Sequence, residues 1–158
     1  MKKYIWLLPI LLLVSCIYKR KPEIPPINLL MLDSVSTFNL DKIPDGKPSV
    51  FIFFSPDCEH CQRETSGILN KMDSLSNLNL YFITIDPIER LRAFNKVYDL
   101  SKYPNIILGQ DYSISFPRYF KRVTIPCTII FDQDRILRAR LNGETTASQI
   151  VEITRNLN

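Results

Sequence analysis

The sequence predicts an α/β domain in which helices cover both faces of one central mixed β-sheet. Two continuous apolar runs rich in β-branched and aromatic residues, 49–54 and 79–85, are typical of strands buried on both faces. Each run is followed by a segment whose apolar residues recur at three- and four-residue spacing, which indicates an amphipathic helix. A hairpin and a last helix follow, and this alternation favours a mixed sheet between helical layers.

Short strand-like stretches at 29–40 and a turn at Pro44-Asp45-Gly46 precede the first buried strand. The first long helix is predicted over 58–77. Asp86-Pro87 begins a second helix that runs to about Leu100, because proline is permitted in a first helical turn. The remaining predicted elements are an apolar run at 105–108, a helical segment at 115–121, a hairpin of strands 128–131 and 136–141, and a helix at 147–157.

The amino-terminal stretch MKKYIWLLPILLLVSC indicates export. Two lysines precede an apolar run that is shorter than the ~20 residues needed to cross a bilayer, and this is the layout of a secretory signal. The run ends in Leu13-Val14-Ser15-Cys16, which resembles the lipobox of bacterial lipoproteins. The resemblance implies a signal peptide over residues 1–15 and a lipid anchor on Cys16. A plain signal peptide or an uncleaved anchor is the alternative.

Residues 16–28 are predicted to be a lipidated, extended tether, because they contain three prolines and a short basic run. The folded domain is predicted over 29–158. Removal of residues 1–15 leaves 143 residues, enough for one compact domain. The net charge of +4 falls to about +2 with the loss of two lysines, and no basic stripe with interleaved aromatic residues is present. We therefore expect no nucleic-acid binding.

The chain has four cysteines, and three remain after Cys16 is assigned to lipid. An odd number of cysteines in an exported chain argues against a disulfide-stapled scaffold and allows one reactive pair, Cys58 and Cys61. A structural zinc site needs four ligands. The only further candidates are Cys127, the single histidine of the chain, and acids. We expect no metal at the pair.

The Cys58–Cys61 pair lies where the first buried strand ends and the first long helix begins. Functional sites of open α/β sheets lie at the carboxyl ends of strands, and the amino end of a helix favours a thiolate. We therefore predict that Cys58 is the attacking thiolate and that Cys61, one turn into the helix, is the more covered resolving cysteine. His60 lies between them and, when protonated, would further stabilise the Cys58 thiolate.

The buried strand, the C-x-x-C at a helix start and Thr124-Ile125-Pro126 before a later strand resemble thioredoxin-fold thiol–disulfide oxidoreductases. The resemblance implies that Pro126 is the cis proline lying against the pair, and that the backbone of Ile125 pairs with an incoming substrate chain. The spacing C-x-x-C-x-x-E, which ends at Glu64, is similar to that of the membrane-tethered TlpA/ResA-like reductases of cytochrome c maturation. There the acid assists proton transfer at the buried sulfur.

The sequence departs from this pattern at three places. Asp57 stands where an aromatic residue usually precedes the first cysteine. Ile52 stands where thioredoxin has a buried aspartate, so that only Glu64 could serve as proton relay. Glu59-His60 replaces Gly-Pro inside the pair, and the histidine is shared with strongly oxidising members. The resemblance therefore leaves the direction of electron flow open.

The resemblance implies a thiol–disulfide oxidoreductase that needs no cofactor and is anchored through Cys16 to a bacterial membrane, facing the periplasm or extracytoplasmic space. Its expected partners are client proteins with disulfides and a membrane electron-donor protein. The expected catalytic residues are Cys58, Cys61, Glu64 and His60, with Ile125 and Pro126 binding substrate.

Two other functions stay open. A peroxiredoxin-type peroxidase would have the frame P-x-x-x-T-x-x-C; Ser55 fits this frame, but Phe51 stands at its proline position. A copper chaperone of this fold uses a wider C-x-x-x-C and a distant histidine, neither of which is present, although Cys127 would allow a Cu(I) site. Cys127 is either a small buried apolar residue or, because it directly follows Pro126, a third redox-active thiol.

Overall fold

The computed structural model describes residues 24–157, which form a seven-stranded mixed sheet with five α-helices. The strands are β1 (Asn28–Leu30), β2 (Thr37–Asn39), β3 (Ser49–Phe53), β4 (Asn79–Thr84), β5 (Ile106–Gln110), β6 (Cys127–Phe131) and β7 (Leu137–Asn142). The helices are α1 (Glu59–Leu69), α2 (Met72–Leu75), α3 (Ile88–Tyr98), α4 (Ser115–Phe120) and α5 (Ala147–Arg155).

The strands lie in the order β2-β1-β5-β4-β3-β6-β7. Strands β3, β4 and β5 run parallel in the centre, as expected for strands joined through helices. On one side β6 pairs antiparallel with β3, and β7 with β6. On the other side the β1–β2 hairpin is antiparallel to β5. The predicted central mixed sheet is confirmed.

The core lies on both faces of this sheet. Along β3 and the residue after it, Val50, Ile52 and Phe54 belong to one buried cluster, whereas Phe51 and Phe53 belong to another, because successive side chains of a strand point to opposite faces. The first cluster packs against α1, α3 and α5, and the second against α4 and the segment before β1. The prediction that helices cover both faces is confirmed.

The predicted signal peptide and Cys16 lie outside the described residues, as does the predicted tether up to residue 23. Its last part, residues 24–28, packs onto the domain, because the apolar side chains of Ile24 and Ile27 are buried in the second cluster. None of the helices formed within residues 24–157 is long and apolar enough to span a membrane.

The helix predicted over 58–77 is interrupted. Helix α1 ends at Leu69 and α2 begins at Met72, and the amide of Asn70 donates to the carbonyls of both Ser66 and Ile68. Ile68 and Leu75 are nevertheless both buried in the first cluster. Because the apolar period continues across the break, the sequence pattern could not reveal it.

Gly109 in β5 allows β1 to approach closely. A Cβ atom added at Gly109 would lie 2.5 Å from Cβ of the buried Leu29, and real Cβ atoms do not approach so closely. We expect Gly109→Ala to lower the free energy of unfolding by about 2–3 kcal/mol through overpacking, as measured by urea unfolding.

Gly67→Ala is the matched control for this substitution. A Cβ at Gly67, inside α1, would meet no atom within 4 Å. Because alanine is the better helix former, this variant should be as stable as the wild type or up to about 1 kcal/mol more stable. If Gly109→Ala unfolds at the wild-type urea concentration, the contact with Leu29 relaxes without cost and the prediction is wrong.

Candidate active site

The two cysteines of the C-x-x-C motif occupy different environments at the start of α1. Cys58 is the N-cap residue, with extended backbone (φ −85°, ψ 117°), and its amide donates to the carbonyl of Ser55 at 3.1 Å. Cys58 is half-buried, whereas Cys61 is only 1% exposed, and both are free thiols. The prediction that Cys61 is the more covered of the two is confirmed.

Burial dominates the chemistry of Cys61. Burial, with smaller contributions from the neighbouring Cys58 and Glu64, raises the pKa of this thiol to about 12, while the backbone at Ser55 opposes the shift. At neutral pH the Cys61 thiol therefore keeps its proton. It becomes a nucleophile only when a nearby base accepts that proton.

Glu64 lies one turn further along α1 and is only 3% exposed. The hydroxyl of Thr128, in β6, donates to its Oε1 at 2.7 Å, while Oε2 has no hydrogen-bond partner among the described residues. Burial raises the pKa of the Glu64 carboxyl to about 7, and the Thr128 hydroxyl and the Thr145 backbone oppose this shift. Glu64 can therefore both hold and release a proton near neutral pH.

The partner of Glu64 lies beside the position where thioredoxin has its buried aspartate. Thr128 is directly opposite Ile52 in the β3–β6 register. The carboxyl of Glu64 therefore extends from α1 to the part of the sheet around Ile52, the residue that stands at the position of the thioredoxin aspartate. This placement supports the expectation that Glu64 replaces the missing acid.

The Ile125–Pro126 peptide bond is cis, as the resemblance implied. Phe53, at the end of β3, pairs with Cys127, at the start of β6, so the proline lies at the edge of the sheet where the cysteine pair follows β3. The carbonyl of Pro126 accepts from the Gly143 amide at 2.8 Å and from the Thr124 hydroxyl at 3.1 Å. Ile125 is 42% exposed, so this edge presents an apolar side chain to solvent.

Asp57, the acid that precedes Cys58, has a partner that the sequence did not reveal. Arg90, in α3, donates through Nη1 to Asp57 Oδ2 at 2.6 Å and lies 3.9 Å from Asp86 Oδ1. The guanidinium therefore compensates the negative charge that Asp57 places beside Cys58.

Removal of Arg90 is expected to make Cys58 less reactive. In Arg90→Met the Asp57 carboxylate stays beside the sulfur without its partner, and repulsion disfavours the thiolate. Because these groups are exposed and screened, we expect alkylation of Cys58 at pH 7 to slow by only about twofold to threefold. Lys96→Met removes another positive charge from α3 as the control. Equal rates for the two variants would contradict the prediction.

His60 and Arg63 meet a third residue, Glu144, on the surface beside the pair. Arg63 Nη2 donates to Glu144 Oε2 at 2.9 Å, and Arg63 Nε donates to the same oxygen at 3.1 Å. His60 Nδ1 lies 3.0 Å from Glu144 Oε2 and 2.6 Å from Arg63 Nη2. The role predicted for His60, stabilisation of the Cys58 thiolate, stays a prediction.

Cys127 is buried on the opposite face of the sheet from the pair. It belongs to the second cluster, whereas Cys61 and Cys58 belong to or pack against the first. Burial raises the pKa of its thiol to about 11. Of the two interpretations of Cys127, its position favours the small buried apolar residue.

The sequence did not reveal three residues of this site, Thr128, Arg90 and Glu144. Thr128 could have been noticed because it is the only hydroxyl-bearing residue in the otherwise apolar run that forms β6. No local pattern marks Arg90 or Glu144, which lie 33 and 84 residues from Asp57 and His60. Within residues 24–157 no group of three or more His, Cys, Asp or Glu side chains could hold a metal ion.

Several solved structures share this fold at low sequence identity. A secreted Mycobacterium tuberculosis disulfide oxidoreductase homologous to E. coli DsbE has a TM-score of 0.68 and 17% identity, over 84% of this chain and 96% of that one. StoA from Bacillus subtilis has a TM-score of 0.62 and 16% identity, over 82% and 97%. A peroxiredoxin-like protein from Aquifex aeolicus has a TM-score of 0.66 and 13% identity, over 85% of each chain.

No curated protein matches the chain. The family model that describes the AhpC/TSA family matches residues 23–140, which is most of the chain. This match and the shared architecture confirm the predicted thioredoxin-like fold. The chain belongs to the AhpC/TSA family of thioredoxin-like proteins.

Proposed function

We propose that this protein is a thiol–disulfide oxidoreductase that reduces disulfides of client proteins through Cys58 and Cys61. One observation carries the proposal: a half-buried cysteine at the amino end of α1 precedes a fully buried cysteine, with a buried acid of pKa about 7 one turn beyond. An accessible nucleophile, a protected resolving thiol and a proton acceptor are the groups that two-step disulfide exchange needs. A similar fold in a protein described as a disulfide oxidoreductase supports this.

In the first step the Cys58 thiolate attacks one sulfur of a client disulfide. A bond forms between Cys58 Sγ and that sulfur, the client S–S bond breaks, and the other client sulfur leaves as a thiolate. Cys58 is the group for this step because it is the N-cap residue of α1, where unpaired backbone N–H groups and the helix dipole stabilise a negative charge.

In the second step Cys61 releases the client. Glu64, in its carboxylate form, accepts the proton of the Cys61 thiol, whose pKa of about 12 otherwise prevents ionisation. The Cys61 thiolate attacks Cys58 Sγ, the mixed disulfide breaks, and the client leaves with both sulfurs reduced. The client has received two electrons, and Cys58 and Cys61 are now oxidised and joined as a disulfide.

The next turnover needs a dithiol donor that reduces the Cys58–Cys61 disulfide. When a donor thiolate attacks Cys58, Cys61 leaves as a thiolate, and the protonated form of Glu64 can return the proton to it. We propose that the donor is a membrane protein. No cofactor takes part in this scheme.

We propose that Ile125 and Pro126 bind the client chain beside the pair. The cis proline is buried at the edge where the pair follows β3, and Ile125 exposes its side chain there. An extended client segment could lie along this edge while one of its sulfurs approaches Cys58. His60 would add positive charge at the same end of α1 when protonated.

We propose an envelope location, facing the periplasm or extracytoplasmic space of a bacterium, with a signal peptide over residues 1–15 and a lipid on Cys16. The Leu13-Val14-Ser15-Cys16 motif supports this. The tether is shortened to residues 16–23 and the domain begins at residue 24, because Ile24 and Ile27 pack in the second cluster. Cys16→Ala should abolish incorporation of labelled lipid and release the protein from membranes. Unchanged labelling would refute the anchor.

The decisive assay measures reduction of insulin disulfides by the protein with dithiothreitol as donor, beside consumption of hydrogen peroxide with the same donor. We expect faster insulin reduction than with dithiothreitol alone, and no acceleration of peroxide consumption. The reverse result would identify a peroxidase. Stoichiometric Cu(I) binding by the reduced protein without insulin reduction would support the metal-binding alternative.

A further inference from the structure

We propose that Glu144 is a positioning residue that sets the reduction potential of the Cys58–Cys61 couple, by holding Arg63 and His60 in a charge-compensated arrangement. This inference rests on the proposed function, in that it assumes that the pair forms a reversible disulfide. It concerns a residue 80 or more positions away in sequence from the residues it contacts.

The position of Glu144 is fixed from both sides of its loop. The preceding residue, Gly143, has φ +94° and donates its amide to the carbonyl of Pro126 at 2.8 Å. Thr146, two residues after Glu144, is the N-cap of α5 and forms a capping box, in which its hydroxyl accepts from the amide of Gln149. The Glu144 carboxylate therefore projects from a loop bonded to the cis proline and reaches the first turns of the active-site helix.

Glu144 compensates the positive charges on that helix. Contacts with Arg63 first, and then with His60, hold the pKa of the Glu144 carboxyl below its usual value, so that it is ionised at neutral pH. The Arg63 guanidinium also interacts electrostatically with the Cys58 thiolate, more weakly than with Glu144 and Glu59. Without Glu144, the attraction of Arg63 for the Cys58 thiolate would no longer be offset.

The other charges near Cys58 are already compensated or negative. Asp57 is paired with Arg90 from α3. Glu59 is exposed on the first turn of α1, and Glu64 is buried below the pair. Glu144 is hydrogen-bonded to Arg63 and contacts His60, and it is therefore the main group that limits how strongly the positive charge of Arg63, and of His60 when protonated, acts on the sulfur.

Which of its two partners His60 Nδ1 hydrogen-bonds depends on whether that nitrogen carries a hydrogen. A nitrogen that carries hydrogen can donate to Glu144, and one with a free lone pair can accept from Arg63 Nη2, so the two contacts are alternatives. In either case the same two partners hold the ring on the Glu144 side of the helix.

We expect Glu144→Gln to stabilise the Cys58 thiolate and thereby the reduced pair, because Arg63, and His60 when it is protonated, lose their counter-charge. Thiolate stabilisation makes a couple more oxidising. The equilibrium constant for reduction of the pair by glutathione should rise on the order of threefold. The midpoint of the pH dependence of Cys58 alkylation should fall in parallel.

Two controls separate this effect from the removal of any negative charge. Glu59→Gln removes an acid next to Cys58 that interacts with Arg63 only at longer range, without a hydrogen bond or ion pair to Arg63 or His60 within residues 24–157, and it should shift the equilibrium less than Glu144→Gln does. In an Arg63→Met/His60→Gln background, Glu144→Gln should have almost no further effect. An equal shift with Glu59→Gln, or an undiminished shift in that background, would overturn the proposal.

The glutathione equilibrium does not require client reduction, and the two proposals therefore fail separately. If the protein does not reduce insulin but Glu144→Gln still shifts the equilibrium, the proposed function fails and the role of Glu144 stands. If insulin is reduced and the potential of Glu144→Gln equals that of the wild type, the role of Glu144 is refuted.

Discussion

Cys58→Ser is expected to lose all reduction of client disulfides above the rate of the donor dithiol alone. Cys58 is the only cysteine among the described residues that is more than minimally exposed, since Cys61 and Cys127 are buried. A serine hydroxyl at this position cannot attack a disulfide at neutral pH, because the thiolate is the reacting group. Insulin turbidity, measured with dithiothreitol as donor, tests this loss directly.

Cys61→Ser is expected to fail differently. Its Cys58 can still attack the client, but no thiol remains to break the mixed disulfide, which should accumulate and appear as a higher-mass band on non-reducing gels. If Cys58→Ser forms this adduct and Cys61→Ser does not, the two roles are reversed and the mechanism is wrong.

Cys127→Ala is the matched control for both variants. It removes a third thiol of the same chain, which lies in the second buried cluster on the opposite face of the sheet. We expect it to keep the wild-type rate of insulin reduction per folded molecule. A loss of activity in a folded Cys127→Ala protein would show that this thiol takes part in the exchange.

Glu64→Gln is expected to be progressively more stable than the wild type as the pH rises. Burial raises the pKa of Glu64 from an ordinary 4.5 to about 7 in the folded protein, so that between these values the unfolded chain has lost a proton that the folded chain keeps. Folded-state stability is therefore lost as the pH rises through this range. The shift corresponds to a loss of about 3 kcal/mol, which the uncharged glutamine avoids.

The measured quantity is the difference in unfolding free energy between Glu64→Gln and the wild type at pH 4 and at pH 8. Effects of the substitution on packing are the same at both pH values, so they cancel when the difference at pH 4 is subtracted from the difference at pH 8. Glu152→Gln, which removes an exposed carboxylate from α5, should show a change within about 0.5 kcal/mol. A change equally small for Glu64→Gln would mean that Glu64 titrates normally.

The same substitution should slow the resolving step. Glutamine cannot accept the Cys61 proton, so the mixed disulfide with a client should persist longer in Glu64→Gln than in the wild type, although it should still form. Quenching the reaction with acid and following the adduct over time measures this. An unchanged lifetime would show that another base, or water, accepts the proton.

Local patterns determined most of the architecture of this protein. The continuous apolar runs that form β3 and β4 predicted two buried strands, because a strand covered on both faces has apolar residues at successive positions and not at every second one. The 3.6-residue period predicted α1, α3 and α5, although it did not show the break after Leu69. The position of Cys58 at a helix start and of Glu64 two turns from it follows from spacing along one helix. These features depend on residues that are close together in the chain, and they can therefore be predicted from the sequence.

The tertiary structure alone decided the electrostatics and the sidedness of the site. Arg90, Thr128 and Glu144 reach Asp57, Glu64 and Arg63 from other elements, across sequence separations of 33, 64 and 81 residues. Cys127 directly follows the cis proline, yet one step along a strand turns it to the other face of the sheet. Charge compensation and burial depend on which elements meet in space. The sequence by itself therefore determined that Cys58 and Cys61 stand at a helix start, and the fold decided which charges and which proton acceptor surround them.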